Sequence, residues 1–195
     1  MPRRSNPNWA IENFYQVGRD LDLPGNCQIG YIVEDLEEAS RMLGSRLGVN
    51  VWYRPRIIKQ KLFYKDEPIE SKLKIVVGYA GLNQVELIQH DPQRASLFEV
   101  APAEPKNTPH HLGFFVRSVV GHCSRLADRG MQPAQYGSIW FAKGHRTRVA
   151  VFDARSSIGH VVELIEHRAR GIYIGMPSWY VMLGAFTGHV ERVYL

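Results

Sequence analysis

Hydrophobic and polar positions follow the same order twice along this chain. CQIGYIV (27–33) has the composition of a β-strand, and LEEASRMLGSRLG (36–48) places apolar residues at helical spacing. Asp35 is a suitable N-cap for that helix, and Gly48 ends it. Three strand-like runs follow, VNVWYRPRI, KLKIVVGYA and NQVELIQH, with the polar excursion KQKLFYKDEPIES after the first. The pattern therefore predicts the order β-α-β-β-β.

After a linker rich in proline and alanine (91–109), the order begins again. HHLGFFV (110–116) is a predicted strand, SVVGHCSRLADRG (118–130) is a predicted helix, and AQYGSIWFA, RVAVFDAR and GHVVELIEH are three more strands. QIGYIV matches HLGFFV in pattern, and VELIQH matches VELIEH in five of six positions. An internal repeat redefines the folding unit. We therefore predict two βαβββ modules, at 27–90 and 110–167.

Both ends of the chain lie outside the repeat. The N-terminal arm, 1–26, begins polar and then carries aromatic residues that indicate packing on the body: Trp9, Phe14 and Tyr15. In the C-terminal extension, 168–195, apolar residues at i, i+3, i+4 and i+7 predict a helix: Trp179, Met182, Leu183, Phe186, Val190, Val193 and Tyr194. Such a face must cover the chain's own sheet or a second subunit, and we favour a homodimer.

Composition narrows the class of protein. With 195 residues, 45% of them hydrophobic, the chain can bury a good core. No run approaches the ~18 apolar residues of a membrane span, and no apolar segment follows the basic N-terminus as in a signal peptide. Cys27 and Cys123 form no disulfide framework and no C-x-x-C pair. We therefore expect a reduced, cytoplasmic protein without a membrane partner.

The charge balance favours anionic partners without naming one. The net charge is +5 and the sequence pI is about 9.3. Four basic residues cluster in VWYRPRIIKQK: Arg54, Arg56, Lys59 and Lys61. They form either a solvated loop or a contact for a phosphate or carboxylate on a small ligand. No Cys/His finger, RNP motif or basic helix is present, so no nucleic-acid partner is predicted.

Polar residues stand at matched positions of the repeated strands. Gln28 and His111 correspond in the first strands, and Glu86 and Glu163 in the last strands. A lone Glu in a strand usually faces solvent, but its repetition in register changes that expectation. Adjacent strand residues face opposite ways, so only one of His110 and His111 can join, and the repeat selects His111. If these strands line one concave face, three oxygen donors and one imidazole suit a divalent ion.

The double βαβββ layout with these four residues resembles the vicinal oxygen chelate superfamily, over about residues 27–167. This superfamily includes glyoxalase I, methylmalonyl-CoA epimerase, extradiol dioxygenases and bleomycin resistance proteins. The resemblance implies an α+β fold whose two modules form a cupped, incompletely closed eight-stranded sheet, to which this chain adds a C-terminal helix. It also implies a divalent metal ion (Ni, Co, Zn, Mn or Mg) bound by Gln28, Glu86, His111 and Glu163.

The resemblance implies a reaction as well. A glyoxalase-like lyase or isomerase would transfer a proton on a small, anionic, α-oxygenated carbonyl or thioester substrate through a metal-stabilised enediolate or enolate. Glu163 is the leading candidate for the base and Glu86 the second. The positions of the glutathione-contacting residues of glyoxalases fall at Ile32, His90 and Asn107. The resemblance therefore does not extend to glutathione.

Two other functions remain open. The first is a small-molecule binding or sequestration protein of the same fold without catalysis. The second is a ring-cleaving dioxygenase, which is disfavoured because Gln28 leaves the two-histidine, one-carboxylate triad incomplete. His90 and His167 follow the two glutamates by four residues, and no role is assigned to them.

Overall fold

A computed structural model describes residues 9–25, 27–70, 73–89, 96 and 109–193 of the protein. The helices are α1 (Trp9–Leu21), α2 (Leu36–Leu47), α3 (Val119–Ala127), α4 (Arg155–Ile158) and α5 (Ser178–Phe186). The strands are β1 (Cys27–Val33), β2 (Trp52–Pro55), β3 (Lys59–Tyr64), β4 (Glu67–Ile69), β5 (Ile75–Ala80), β6 (Asn83–Gln89), β7 (His111–Phe115), β8 (Gln135–Ala142), β9 (His145–Ala154), β10 (His160–Ala169), β11 (Ile172–Tyr173) and β12 (Val190–Val193).

All of these strands belong to one curved sheet. Its order is β12-β2-β5-β6-β1-β7-β10-β9-β8-β3-β4, and β11 pairs with β10. The first strand of each module pairs parallel with the last, β1 with β6 and β7 with β10, and β1 and β7 join the modules antiparallel. The central eight strands are those of the two predicted modules. The predicted α+β fold with an incompletely closed cup is therefore confirmed.

Helices α1, α2 and α3 pack on the outer face of the cup, whereas Val181 of α5 packs with inner-face residues such as Ile75 and Val77. In β7, Leu112 and Phe114 point to the helices and belong to the main core cluster, whereas His111 points to the inner face. Helix α2 begins at the predicted cap, where the Asp35 side chain accepts a hydrogen bond from the Glu38 amide at 2.8 Å. It ends at Gly48, which has a left-handed φ of 72°. The outer core thus leaves the inner face free for other side chains.

The N-terminal segment adds a helix to the same outer layer. Phe14 and Val17 of α1 are buried, and the Phe14 ring stacks on Phe114 with centroids 4.5 Å apart. Tyr15 is 54% exposed. The side chain of Trp9 lies outside the described part of the chain.

The stretch KQKLFYKDEPIES is not the polar excursion that its composition predicts. It forms β3 and β4, and β3 pairs antiparallel with β8. Leu62 is 2% exposed and lines the inner face, while the Lys59 and Lys61 ammonium groups lie over the rings of Trp140 and Phe63. Basic side chains at alternate positions concealed the strand, because their stems cover apolar surface while their charges stay in water.

β3 and β4 extend the sheet beyond the eight predicted strands. β2 and β3 stand near opposite ends of the sheet order, yet only residues 56–58 connect them. The Ile58 amide donates to the Trp140 carbonyl at 2.9 Å, and the Arg56 amide donates to the His189 carbonyl at 3.1 Å. The connecting segment therefore spans the open side between the two edges of the sheet.

The C-terminal helix is shorter than predicted and turns its apolar face outwards. It ends at Phe186, Gly188 takes a left-handed φ of 73°, and β12 follows and pairs with β2. Val181 packs inwards, whereas the predicted face is exposed by 59, 48, 52 and 88% at Trp179, Met182, Leu183 and Phe186. The chain's own sheet does not cover this face. The homodimer stays a prediction.

Some predictions fall on residues outside the described ranges. They concern His90, Asn107, Tyr194 and most of the linker 91–109. Among the described helices, none has the length and apolar character needed to cross a membrane.

Candidate metal centre

The middle of the inner face is built where β1 and β7 pair. Gln28 stands opposite Gly113, and Gly30 stands opposite His111. A Cβ at Gly30 would lie 1.8 Å from Cε1 of His111, and a Cβ at Gly113 would lie 2.7 Å from Oε1 of Gln28. Each glycine therefore makes room for a polar side chain of the other module. This crosswise pairing explains why both first strands carry a polar residue two positions before a glycine.

The two glutamates flank these glycines. Parallel pairing of β6 with β1 sets Glu86 beside Gly30, and parallel pairing of β10 with β7 sets Glu163 beside Gly113. Nε2 of His111 lies 3.0 Å from Oε2 of Glu163 and 3.5 Å from Oε2 of Glu86. Ligand atoms of these three residues all lie within 4.8 Å of one another. The structure thus brings Glu86, His111 and Glu163 together.

Gln28 lies beside this cluster, on the strand that pairs with the His111 strand. Its side chain is 3% exposed, and Nε2 donates to Oε1 of Gln84 at 2.8 Å. Its own Oε1 is buried without a hydrogen-bond partner, against Gly113 and therefore on the side of Glu163. A buried acceptor without a partner is costly unless a cation or donor reaches it.

The electrostatics of the cluster favour a cation. Burial raises the pKa of Glu86, and the neighbouring Glu163 carboxylate raises it further, although a hydrogen bond with His111 opposes the shift. Burial alone would lower the pKa of His111, but hydrogen bonds and charge from Glu163 and Glu86 outweigh it and raise that pKa to about 9. Two carboxylates are thus held near one imidazole, and the cluster stabilises positive charge.

A cavity of about 50 Å³ lies over this cluster. Its polar lining residues are Gln28, Gln84, Glu86, Gln135, Thr147 and Glu163, and the others are mainly apolar: Pro55, Leu62, Leu73, Ile75, Val77, Ile88, Ile139, Phe141, Val149, Ile165 and Met176. No Lys or Arg is found among these described lining residues. The space holds a few water molecules or the reactive end of a small ligand.

The basic run does not face this cavity. Arg54 is exposed and pairs with Glu191 at 3.1 Å, while Lys59 and Lys61 lie on the outer face. The structure therefore provides no contact between these residues and the buried cluster. Of the two interpretations of the run, the solvated one fits its placement.

His110 contacts the ring of His111, although the alternation of side chains along a strand would direct the two residues to opposite faces. His110 precedes β7, so the side-chain alternation of the strand does not apply to it. Its Nδ1 lies 3.2 Å from Nδ1 of His111. A ligating histidine commonly uses its second ring nitrogen in such a bond. The repeat selects His111 for the cluster, as its Nε2 position shows, and His110 contacts the other side of the same ring.

His167 lies on the same strand face as Glu163 but serves another part of the molecule. Its Nδ1 lies 2.8 Å from Oγ1 of Thr147, and its Nε2 lies 3.0 Å from the hydroxyl of Tyr180 in α5. Burial, followed by the charge of His145, lowers the pKa of His167 to about 4. This neutral histidine therefore ties α5 to the cup.

The donor set fits a divalent metal ion. Two carboxylates, an amide oxygen and an imidazole are ligands of hard or borderline ions, and two anionic ligands offset the charge of one such ion. The buried Oε1 of Gln28 lacks a hydrogen-bond partner. Sequence reasoning missed Gln84 and Tyr79 beside this set, although Gln84 stands two residues before Glu86 on the same strand face.

Comparison with known proteins gives a family. Residues 27–152 match the family model described as the Glyoxalase/Bleomycin resistance protein/Dioxygenase superfamily. Among curated proteins no significant sequence match exists.

Among solved structures, methylmalonyl-CoA epimerase from Mycobacterium tuberculosis is similar at 16% identity, covering 73% of this chain and 88% of that chain, with a TM-score of 0.48. A Streptomyces coelicolor methylmalonyl-CoA epimerase variant in complex with 2-nitronate-propionyl-CoA has 16% identity, 73% and 94% coverage and a TM-score of 0.48. A hypothetical protein from Bacillus halodurans has 17% identity, 71% and 90% coverage and a TM-score of 0.44.

Proposed function

The chain belongs to the glyoxalase/bleomycin resistance protein/dioxygenase superfamily, and from that premise we propose that it is a divalent-metal-dependent enzyme of the lyase or isomerase type. It transfers a proton on the carbon beside the carbonyl of a small α-oxygenated carbonyl compound or thioester. The observation that carries this proposal is the convergence of Glu86, His111 and Glu163 on one buried point at the end of a cavity.

Four residues would hold the ion: Gln28 through Oε1, His111 through Nε2, and Glu86 and Glu163 through their carboxylates. His111 must then be neutral, so its proton sits on Nδ1, where His110 accepts it. A divalent ion held by these residues would accept neighbouring substrate oxygens as ligands and would stabilise the negative charge that develops when the proton leaves.

The carboxylates supply the acid–base chemistry. Glu163, the leading candidate base, takes the proton from the carbon beside the carbonyl, and the electron pair of that C–H bond moves into the carbonyl to give an enolate. Returning the proton, from Glu163 or from Glu86 as the second candidate, completes an isomerisation. Loss of a leaving group from the enolate would complete a lyase reaction instead. The apolar walls limit water access to this exchange.

The dimensions of the cavity limit which part of the substrate reacts there. A cavity of about 50 Å³ with no basic group among its described lining residues accepts a small neutral end of a molecule. An anionic portion, which the overall charge of +5 would favour, lies outside the cavity. The substrate is thus proposed to be a molecule whose reactive carbonyl is separated from its charged group.

The test joins metal analysis to isotope exchange. Protein purified without chelator is expected to carry Ni, Co, Zn, Mn or Mg at close to one ion per chain. In D₂O it is expected to exchange the proton beside the carbonyl in members of a panel of α-hydroxy carbonyl compounds and CoA thioesters, followed by NMR. Glu163→Gln should abolish exchange while the protein stays folded, and His111→Ala should lose the metal.

The matched control is Glu166→Gln, which removes a buried carboxylate that pairs with Arg168 outside the cavity and should leave metal content unchanged. A protein that retains none of these ions and cannot be loaded with any of them would refute the proposal.

A second candidate function is sequestration of a small molecule without chemistry. The mainly apolar lining of the cavity favours it. It would show tight binding of an aromatic or apolar compound that is recovered unchanged, with no isotope exchange. Ring cleavage fits less well, since the one group of potential metal ligands in the described residues contains a single histidine.

A further inference from the structure

A series of hydrogen bonds joins neighbouring side chains on β1, β6 and β5 and ends on a backbone carbonyl. Nε2 of Gln28 donates to Oε1 of Gln84 at 2.8 Å, and Nε2 of Gln84 donates to the Tyr79 hydroxyl at 2.8 Å. The Tyr79 hydroxyl donates to the carbonyl of Met176 at 2.9 Å. The pairing of β5, β6 and β1 sets the three side chains in register. Gln28 and Gln84 are 3% and 1% exposed, so water does not compete for these bonds.

The Met176 carbonyl fixes which group donates and which accepts in each of these hydrogen bonds. A backbone carbonyl can only accept a hydrogen bond, so the Tyr79 hydroxyl must donate its one proton to the carbonyl of Met176. Burial raises the pKa of Tyr79 above its ordinary value, so the hydroxyl keeps that proton. Its oxygen then accepts, and Gln84 must present its NH₂ group to Tyr79 and its oxygen to Gln28.

The consequence for Gln28 is a single orientation of its amide. Its NH₂ group faces Gln84, so its oxygen is the atom left against Gly113 without a hydrogen-bond partner. This distinction decides whether the residue can bind a cation. An amide oxygen is a ligand for a divalent ion, whereas an NH₂ group in the same place would present two protons to it.

We propose that Tyr79 and Gln84 are positioning residues that hold the carbonyl oxygen of Gln28 toward the metal site, with the Met176 carbonyl as the fixed reference. The inference rests on the proposed function, because the orientation of the Gln28 amide matters for binding only if a metal ion occupies the site. It also couples the site to the segment before α5, since the reference carbonyl belongs to that segment. Partners of this kind typically change metal affinity by about 10- to 100-fold when removed.

The experiment is a double-mutant cycle read by metal affinity. Metal-free protein is titrated with Co²⁺ in competition with a chelator, and the visible Co²⁺ spectrum reports on the ligands. Tyr79→Phe removes one oxygen atom and frees both amides to turn over. It is expected to weaken Co²⁺ binding by about tenfold or more and to shift the spectrum.

The second arm repeats Tyr79→Phe in a Gln28→Glu background. A carboxylate presents an oxygen whichever way it turns, so there the loss should shrink to about twofold or less. Tyr180→Phe is the matched control. It removes a hydroxyl of α5 that bonds His145 and His167 without reaching Gln28, and should leave Co²⁺ affinity unchanged. Thermal unfolding of each variant in chelator confirms that it is folded.

The outcomes separate the two proposals. If the unmodified protein binds Co²⁺ and Tyr79→Phe binds it equally well, the positioning role is refuted and the metal site stands. If Tyr79→Phe loses the same factor in both backgrounds, Tyr79 acts on general structure and the positioning role is again refuted. If the unmodified protein binds no Co²⁺, Zn²⁺, Ni²⁺, Mn²⁺ or Mg²⁺, the proposed function fails and this inference fails with it.

Discussion

Gly30→Ala is the substitution that most directly tests how the inner face is assembled. The new Cβ would lie 1.8 Å from Cε1 and 2.1 Å from Nε2 of His111. Carbon atoms in contact are about 3.5–4.0 Å apart, so the ring must move by about 1.7 Å. His111 is 1% exposed and is packed among β-strands, so it has little space to move into.

The two expected effects differ in size. Overpacking a buried site costs about 1–3 kcal/mol of folding free energy, which a protein of this size can tolerate. The effect on metal binding is larger, because metal–nitrogen distances of about 2.0–2.1 Å tolerate changes of only about 0.2 Å. The imidazole is therefore lost as a ligand, and we expect affinity to fall by at least about 100-fold, the upper end of the effect of removing a supporting residue.

Gly78→Ala is the matched control on the opposite face of the sheet. Its Cβ would lie 2.3 Å from Cγ1 of Val49, so it crowds the outer core to a similar degree without touching the metal cluster. Urea unfolding of metal-free protein should show a loss of stability in both variants, whereas a Co²⁺ titration should show a loss of affinity only in Gly30→Ala. A folded Gly30→Ala protein that binds Co²⁺ within about threefold of the parent would refute the ligand role of His111.

Three further predictions follow from the ionisable groups and the surface. Because hydrogen bonds to the two glutamates raise the pKa of His111 to about 9 in the metal-free protein, metal binding at about pH 7.5 should release about one proton. Calorimetry in buffers of different ionisation enthalpy measures this release, which should vanish well above pH 9.

Burial lowers the pKa of His167 to about 4, against about 6.5 when unfolded, so the metal-free protein should lose about 3 kcal/mol of stability as pH falls between these values. Urea unfolding should show a flatter pH profile in His167→Gln. If the chain forms the predicted homodimer through α5, Phe186→Glu should convert it to a monomer in sedimentation, whereas Leu82→Glu, at another exposed apolar residue, should not.

The repeat made much of the fold and the cluster predictable. Its register paired Gln28 with His111 and Glu86 with Glu163, and a metal site was expected if their strands line one concave face. The glycines two residues later were visible as a pattern, but their purpose was not. Only the antiparallel pairing of β1 and β7, in which each glycine lies under the other module's side chain, supplies the physical reason.

Other features depended on contacts that no local pattern records. Leu62 is the only aliphatic residue in β3, so the sequence shows no alternating apolar pattern there, and the strand is defined by its pairing with β8. Tyr79 contacts Met176 across 97 positions of sequence, and Gln28 contacts Gln84 across 56. Hydrogen bonds between residues so far apart in sequence depend on the register of the strands and on the path of the chain.

The crosswise pairing also implies that neither module can form the cluster by itself. Gln28 rests on Gly113 and His111 rests on Gly30, so each side chain has its place only when the other module's first strand is present. The two glutamates occupy equivalent positions in this arrangement, and the repeat alone gives them equal roles. What distinguishes them is the exchange of one amide for one imidazole between the modules. In this arrangement Nε2 of His111 lies 3.0 Å from Oε2 of Glu163 and 3.5 Å from Oε2 of Glu86. A symmetric frame therefore holds an asymmetric centre, a difference that the proposed role of Glu163 as the base would use.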